Sequence, residues 1–226
     1  MRWSSAIAGS TSASPSAGET VAVSAGDEIP GAYRAPACEV RAELRERKSR
    51  FLAVVTPVAD EIVAQEHLAA VRAEFPDATH HCWAWRLGAR GAERSSDDGE
   101  PAGTAGPPIL HVLRGAELSG VLAVVVRWFG GVKLGKGGLV RAYGDATRLA
   151  LEELPVMWVV PAERLVVELP YPQLGAVKRL IRPPQVELVT EQYGEAVRLE
   201  LVVHRHLQPE IEEALAALGI ELPLRP

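Results

Sequence analysis

VLAVVVRWFGGVKLGKGGLVRAYG, residues 121–144, is the stretch that decides the fold. Its first six residues are apolar without alternation, the pattern of a strand covered on both faces. Glycines at 130, 131, 135, 137 and 138 then turn the chain. Beyond them Leu139, Ala142, Tyr143, Ala146 and Leu149 recur on one side of a helix, with Arg141, Asp145, Arg148 and Glu152 on the wetter side. A buried strand thus passes through a glycine-rich turn to an amphipathic helix, and the rest of the chain, read around it, gives a two-domain α+β protein.

Upstream, SRFLAVVTPV at 49–58 is β-branched and apolar and predicts a strand closing at Pro57. Ala64, Leu68, Val71 and Phe75 form one helical stripe that Pro76 ends. A strand is predicted over 79–87, with His80, Cys82 and Ala84 on one face and His81, Trp83 and Trp85 on the other. Residues 88–108 read as one long polar loop, a length that in a compact domain points to function, followed by a short helix at 108–113.

Downstream, the first domain is expected to end near Pro155. The remainder reads as strand 164–169, helix 173–181, strand 186–190, strand 197–203, helix 209–218 and strand 220–222. That order, βαββαβ, is the ferredoxin-like plan.

The chain of 226 residues is 47% hydrophobic and 23% charged, within the globular range. Its longest apolar run, six residues at 121–126, is too short to cross a bilayer, so no membrane partner is expected. Residues 1–36 are rich in Ser, Ala, Gly and Thr, lack the pattern of a secretion signal, and read as a disordered tail. Two distant cysteines, Cys38 and Cys82, suit reduced thiols in the cytoplasm. A net charge of -5 confines any polyanion site to a patch.

That patch is expected at the glycine turn. Arg127, Lys133, Lys136 and Arg141 surround Gly130, Gly131, Gly135, Gly137 and Gly138, whose backbone N–H groups, with the positive end of the following helix, suit an anion. The same glycines are equally compatible with close packing of a strand-to-helix connection. Leu139 after Gly138 departs from the nucleotide-triphosphate loop GxxxxGK[ST].

A second cluster, Asp97, Asp98 and Glu100 in SSDDGEPAGTAGPP (95–108), has the hard oxygens for Mg²⁺ or for acid and base work, or forms a solvated turn. His80 and Cys82 could pair as base and nucleophile, or sit in the core. Trp83, Trp85 and Trp128 are either stacking platforms or core.

KSRFLA (48–53), DATHHCWAW (77–85), SDDGEPAGTAG (96–106) and RWFGGVKLGKGGLVRAYG (127–144) together resemble the IMPACT family, in its bacterial YigZ branch. The resemblance covers about residues 33–226. It implies a domain at 37–156 with the fold of the second domain of ribosomal protein S5, and a ferredoxin-like domain at 157–226 similar to the last domain of elongation factor G. It also implies a link to translation, since eukaryotic members dampen a kinase pathway that controls initiation. This chain departs from the family pattern at His81 (often Asn), Ala102 (usually Ser) and Trp128 (usually Tyr). Ala102 removes a candidate hydroxyl nucleophile.

The leading expectation is a translation-associated regulator, not an enzyme, that binds structured RNA or the ribosome through the basic turn, without a cofactor. The alternative is a hydrolase or phosphoester-processing enzyme in which His80, Cys82, Asp97, Asp98 and Glu100 act beside the anion site, with Mg²⁺ as a possible cofactor. A protein-interaction adaptor would require an exposed apolar patch.

Overall fold

The computed structural model describes residues 19–23 and 29–220. The elements are β1 (Glu19–Val23), β2 (Tyr33–Pro36), β3 (Val40–Glu46), β4 (Ser49–Pro57), α1 (Glu61–Glu74), β5 (His80–Leu87), β6 (Ala92–Ser96), α2 (Gly106–Gly115), β7 (Val121–Trp128), α3 (Gly135–Glu152), β8 (Val156–Leu169), α4 (Leu174–Lys178), β9 (Val186–Tyr193), β10 (Val197–His204) and α5 (Gln208–Ala217). They form two antiparallel sheets in an α+β arrangement.

The first sheet runs β3-β4-β7-β5-β6, with β7 at its centre. The unalternating run is explained by two cores. Val121, Ala123 and Val125 pack with α2 and α3, whereas Leu122, Val124 and Val126 pack with Ala64, Leu68 and Val71 of α1. β5 alternates as predicted, sending Cys82 and Ala84 to the first core and Trp83 and Trp85 to the second. Asp60 caps α1 by accepting the Val63 N–H at 2.9 Å, and Phe75 closes it.

The second sheet runs β1-β8-β10-β9, with β2 also on β8. Its core is a separate cluster built on Val167, Leu169, Leu199, Leu201, Ile211 and Leu215. The strand expected at 164–169 begins at 156, because its first half has partners the sequence did not announce: β1 and β2.

The disordered-tail expectation for residues 1–36 is therefore corrected where the structure describes it. Residues 19–23 and 33–36 are strands, and their backbone groups are satisfied on the edge of β8. Residues 1–18 and 24–28 lie outside the described residues, as do 221 and 222 of the predicted last strand. The expected long loop at 88–108 is shorter: β6 folds back onto β5, and α2 starts at Gly106.

Candidate functional site

β7 ends at Trp128, one residue beyond Arg127, a short turn follows, and α3 begins at Gly135, four residues before Leu139, the first residue of the stripe. Gly137 and Gly138 thus lie in the first helical turn and not in a loop. Gly130 is demanded by proximity: a Cβ there would fall 2.0 Å from the Lys48 carbonyl oxygen. Gly131 and Gly135 adopt positive φ, 84° and 72°. No side chain caps the start of α3, so its first N–H groups are open to an outside acceptor.

A cleft of about 450 Å³ opens at this point. Lys133, Lys136, Phe129, His80, Glu100 and Arg127 line it, with Leu134, Gly135 and Leu139 of the turn and helix. The acidic loop and the basic turn thus share one cleft. Lys133 and Lys136 are exposed and have no hydrogen-bond or ion-pair partner among the described residues.

Two of the expected cations are placed differently. Arg127 is 5% exposed and ion-paired with the 8%-exposed Glu100, so its charge is neutralised inside the protein. A lone guanidinium could not be buried there without such a partner. Arg141 lines another, smaller cavity of about 140 Å³ beside Glu46, Arg47 and Asp145.

The acidic candidates divide as well. The Asp97 carboxylate accepts the N–H groups of Gly103 (2.8 Å), Ala105 and Gly106 (2.9 Å each), which fastens the loop and the start of α2. Asp98, at φ 42°, accepts the His81 N–H at 2.7 Å and pairs with Arg72 at 2.7 Å. Both oxygens of each aspartate are therefore engaged within the fold, as in a structured turn. Glu100 alone of the three faces the cleft. Its Oε1 accepts from Arg127 and, at 2.8 Å, from the Tyr143 hydroxyl.

Cys82 is fully buried, its sulfur 3.0 Å from the Asp97 carbonyl and 3.3 Å from the Tyr143 hydroxyl. Burial pushes its thiol up to about 12, so the sulfur stays protonated near neutral pH. The Tyr143 hydroxyl is raised in the same way, by burial first and then by Cys82 and Glu100. His80 remains at the cleft, its Nδ1 2.8 Å from the Asp98 carbonyl. Trp83 and Trp85 stack on each other in the core at 4.3 Å, and Trp128 lies under Arg50 with its Nε1 bonded to Asp77, so none of the three serves as an open platform.

Two participants went unread in the sequence. Tyr143 reads in the sequence as one residue of an apolar stripe, although its hydroxyl holds Glu100. Phe129 is 46% exposed in the cleft; an aromatic set among glycines and lysines, with no periodic partner, was the available signal.

The Impact N-terminal domain matches residues 47–151, and a domain of unknown function, DUF1949, matches residues 167–219. The Escherichia coli protein "IMPACT family member YigZ" is 36% identical over 184 residues, which cover 80% of this chain and 90% of that protein. The chain belongs to the IMPACT family. A solved structure, described as that of a hypothetical protein, is 33% identical and superposes with a TM-score of 0.66 over 88% of this chain and 99% of that one. The two-domain translational regulator Yih1 is 25% identical over 57% of this chain and 50% of that one; its TM-score of 0.32 says nothing about shape. In this IMPACT-family chain the four motifs that carried the resemblance meet at one place. Lys48 and Ser49 lie under Gly130, the 77–85 segment contributes His80 and Cys82, the 96–106 segment contributes Glu100, and the last supplies Arg127, the lysines and Tyr143.

Proposed function

We propose that the chain is a translation-linked regulatory protein of the cytoplasm that binds structured RNA, on or off the ribosome, at the rim of this cleft. The supporting observation is that Lys133 and Lys136 stand exposed and unpaired at the uncapped start of α3, on a chain whose net charge is -5. Evenly spread charge would disfavour a polyanion; a local pair of free cations beside open N–H groups favours phosphate. Yih1 is described as a translational regulator, and membership of the IMPACT family supports a link to translation for this chain. Among the described residues no helix is long and apolar enough to cross a membrane.

The hydrolase reading draws less support, because Asp97 and Asp98 are spent on the fold and the Cys82 thiol is buried. The test is co-sedimentation with ribosomes, and retention of RNA, across a salt series. Binding is expected to weaken with salt, and the double change Lys133→Glu and Lys136→Glu to flatten the logarithmic slope by about two. A wild-type protein that retains neither ribosomes nor RNA at low salt would overturn the proposal.

A further inference from the structure

The cleft holds more than a cationic rim. Phe129 is 46% exposed there, with the Arg127 guanidinium 5.4 Å from its ring centroid. His80 Nδ1 lies 2.8 Å from the Asp98 carbonyl oxygen, which can only accept, so that nitrogen carries the hydrogen. Both donors to Glu100 use Oε1, and no donor to Oε2 is found among the described residues. Arg127, 5% exposed, also leaves its Nε without a partner. Polar side chains more than nine-tenths buried are ordinarily satisfied, and here Arg127 keeps a buried Nε unpaired while it and Glu100, whose Oε2 has no donor among the described residues, line the same opening.

A ligand that answers the cationic rim, Phe129 and Glu100 has an anion, a flat apolar face and a hydrogen-bond-donating edge. A duplex is too large for about 450 Å³, but one nucleotide fits, since small-molecule pockets span roughly 300–1,000 Å³. The geometry points to a pocket for a single unstacked nucleotide whose base carries an exocyclic amine. Its phosphate meets Lys133, Lys136 and the start of α3, its base stacks on Phe129, and its amine donates to Glu100. A carboxylate accepts well from the amine of cytosine or adenine. It accepts poorly from uracil, whose single donor lies between two carbonyl oxygens. This rests on the RNA reading for the source of the nucleotide, as an end or a splayed-out base, whereas a free nucleotide offers the same chemistry.

Equilibrium binding of AMP, CMP, UMP and inorganic phosphate to the full chain tests it, with each also competed against a labelled single-stranded oligonucleotide. AMP and CMP are expected to bind at least roughly tenfold tighter than UMP or phosphate, as one lost hydrogen bond to a charged group implies. Phe129→Ala is expected to weaken AMP by roughly 5- to 100-fold, the worth of one stacked base, and to leave phosphate unchanged. Because Phe129 is half exposed, the variant should fold, which a melting curve checks. Equal binding of all four ligands, or AMP binding indifferent to Phe129→Ala, would sink the pocket. If RNA binds in a salt-dependent way while no mononucleotide does, the pocket fails and the RNA reading stands. If AMP binds as described and RNA does not, the pocket stands for a free nucleotide and the RNA reading fails.

Discussion

Among individual residues, neighbouring carboxylates separate by what surrounds them. Asp97 accepts three backbone N–H groups, so Asp97→Ala would leave three donors unpaired in the loop and at the start of α2. We expect a loss of about 2–3 kcal/mol in urea denaturation, larger than an exposed aspartate would give. His204 poses the opposite problem. It is fully buried in the second sheet, and neither ring nitrogen has a partner. Burial, and next the His206 ring 5.7 Å away, lower its proton affinity, while Glu187 opposes them. The unfolded chain then takes up the proton more readily than the native one, so acid favours unfolding. The protection is complete above the ordinary value of 6.5 and is lost as pH falls below it. The urea midpoint should therefore drop between about pH 7 and pH 5.5, and His204→Leu should reduce that drop. An unchanged slope in the variant would assign the acid sensitivity elsewhere.

For elements, the turn after β7 and the edge of β8 carry the expectations. At Gly130 the added methyl of alanine would collide with the Lys48 carbonyl, and backbone cannot swing aside as a side chain can. Gly130→Ala is expected to cost about 2 kcal/mol or more and to disturb the cleft, read as a lower melting temperature together with weaker RNA retention. Gly137→Ala is the control, since nothing lies near its Cβ position. At the other edge, β2 pairs with residues 156–159 of β8, and the Arg34 carbonyl accepts the Ser119 N–H at 2.8 Å from the first domain. One short strand thus fastens the second sheet to the loop before β7. A chain starting at Tyr33 should melt higher than one starting at Cys38, because the latter strips β8 of this partner. Equal melting temperatures would show that β2 contributes nothing.

At the scale of the whole molecule, two sheets have separate cores that share no buried residue. The apolar cluster of the second lies entirely within residues 165–220. A fragment covering 156–226 is therefore expected to unfold cooperatively in a thermal melt, as a domain with its own core does. A broad, non-cooperative melt would mean that β1 and β2 are indispensable to it. Charge is distributed on the same scale: most exposed arginines are matched to acids, as in Arg41–Glu74, Arg114–Glu93 and Arg182–Glu210, whereas Lys133 and Lys136 are not.

Periodicity is local, and what it could determine it did. The two faces of β5, the doubly covered β7, the α1 stripe and the alternation in β10 follow from repeats of 2 and 3.6 residues, and four short motifs sufficed for the family. The charge of the glycine turn was equally legible, since Lys133 and Lys136 stand three residues apart with no acid between them. Pairing across the chain is not local. That Arg127 would be neutralised by Glu100, 27 residues away, that Asp97 and Asp98 would be consumed by backbone N–H groups, and that residues 33–36 would complete a sheet more than a hundred residues downstream depended on register and burial. A buried charge must find a partner and a strand edge must find a ladder, but which ones are within reach is decided only when the whole chain is packed.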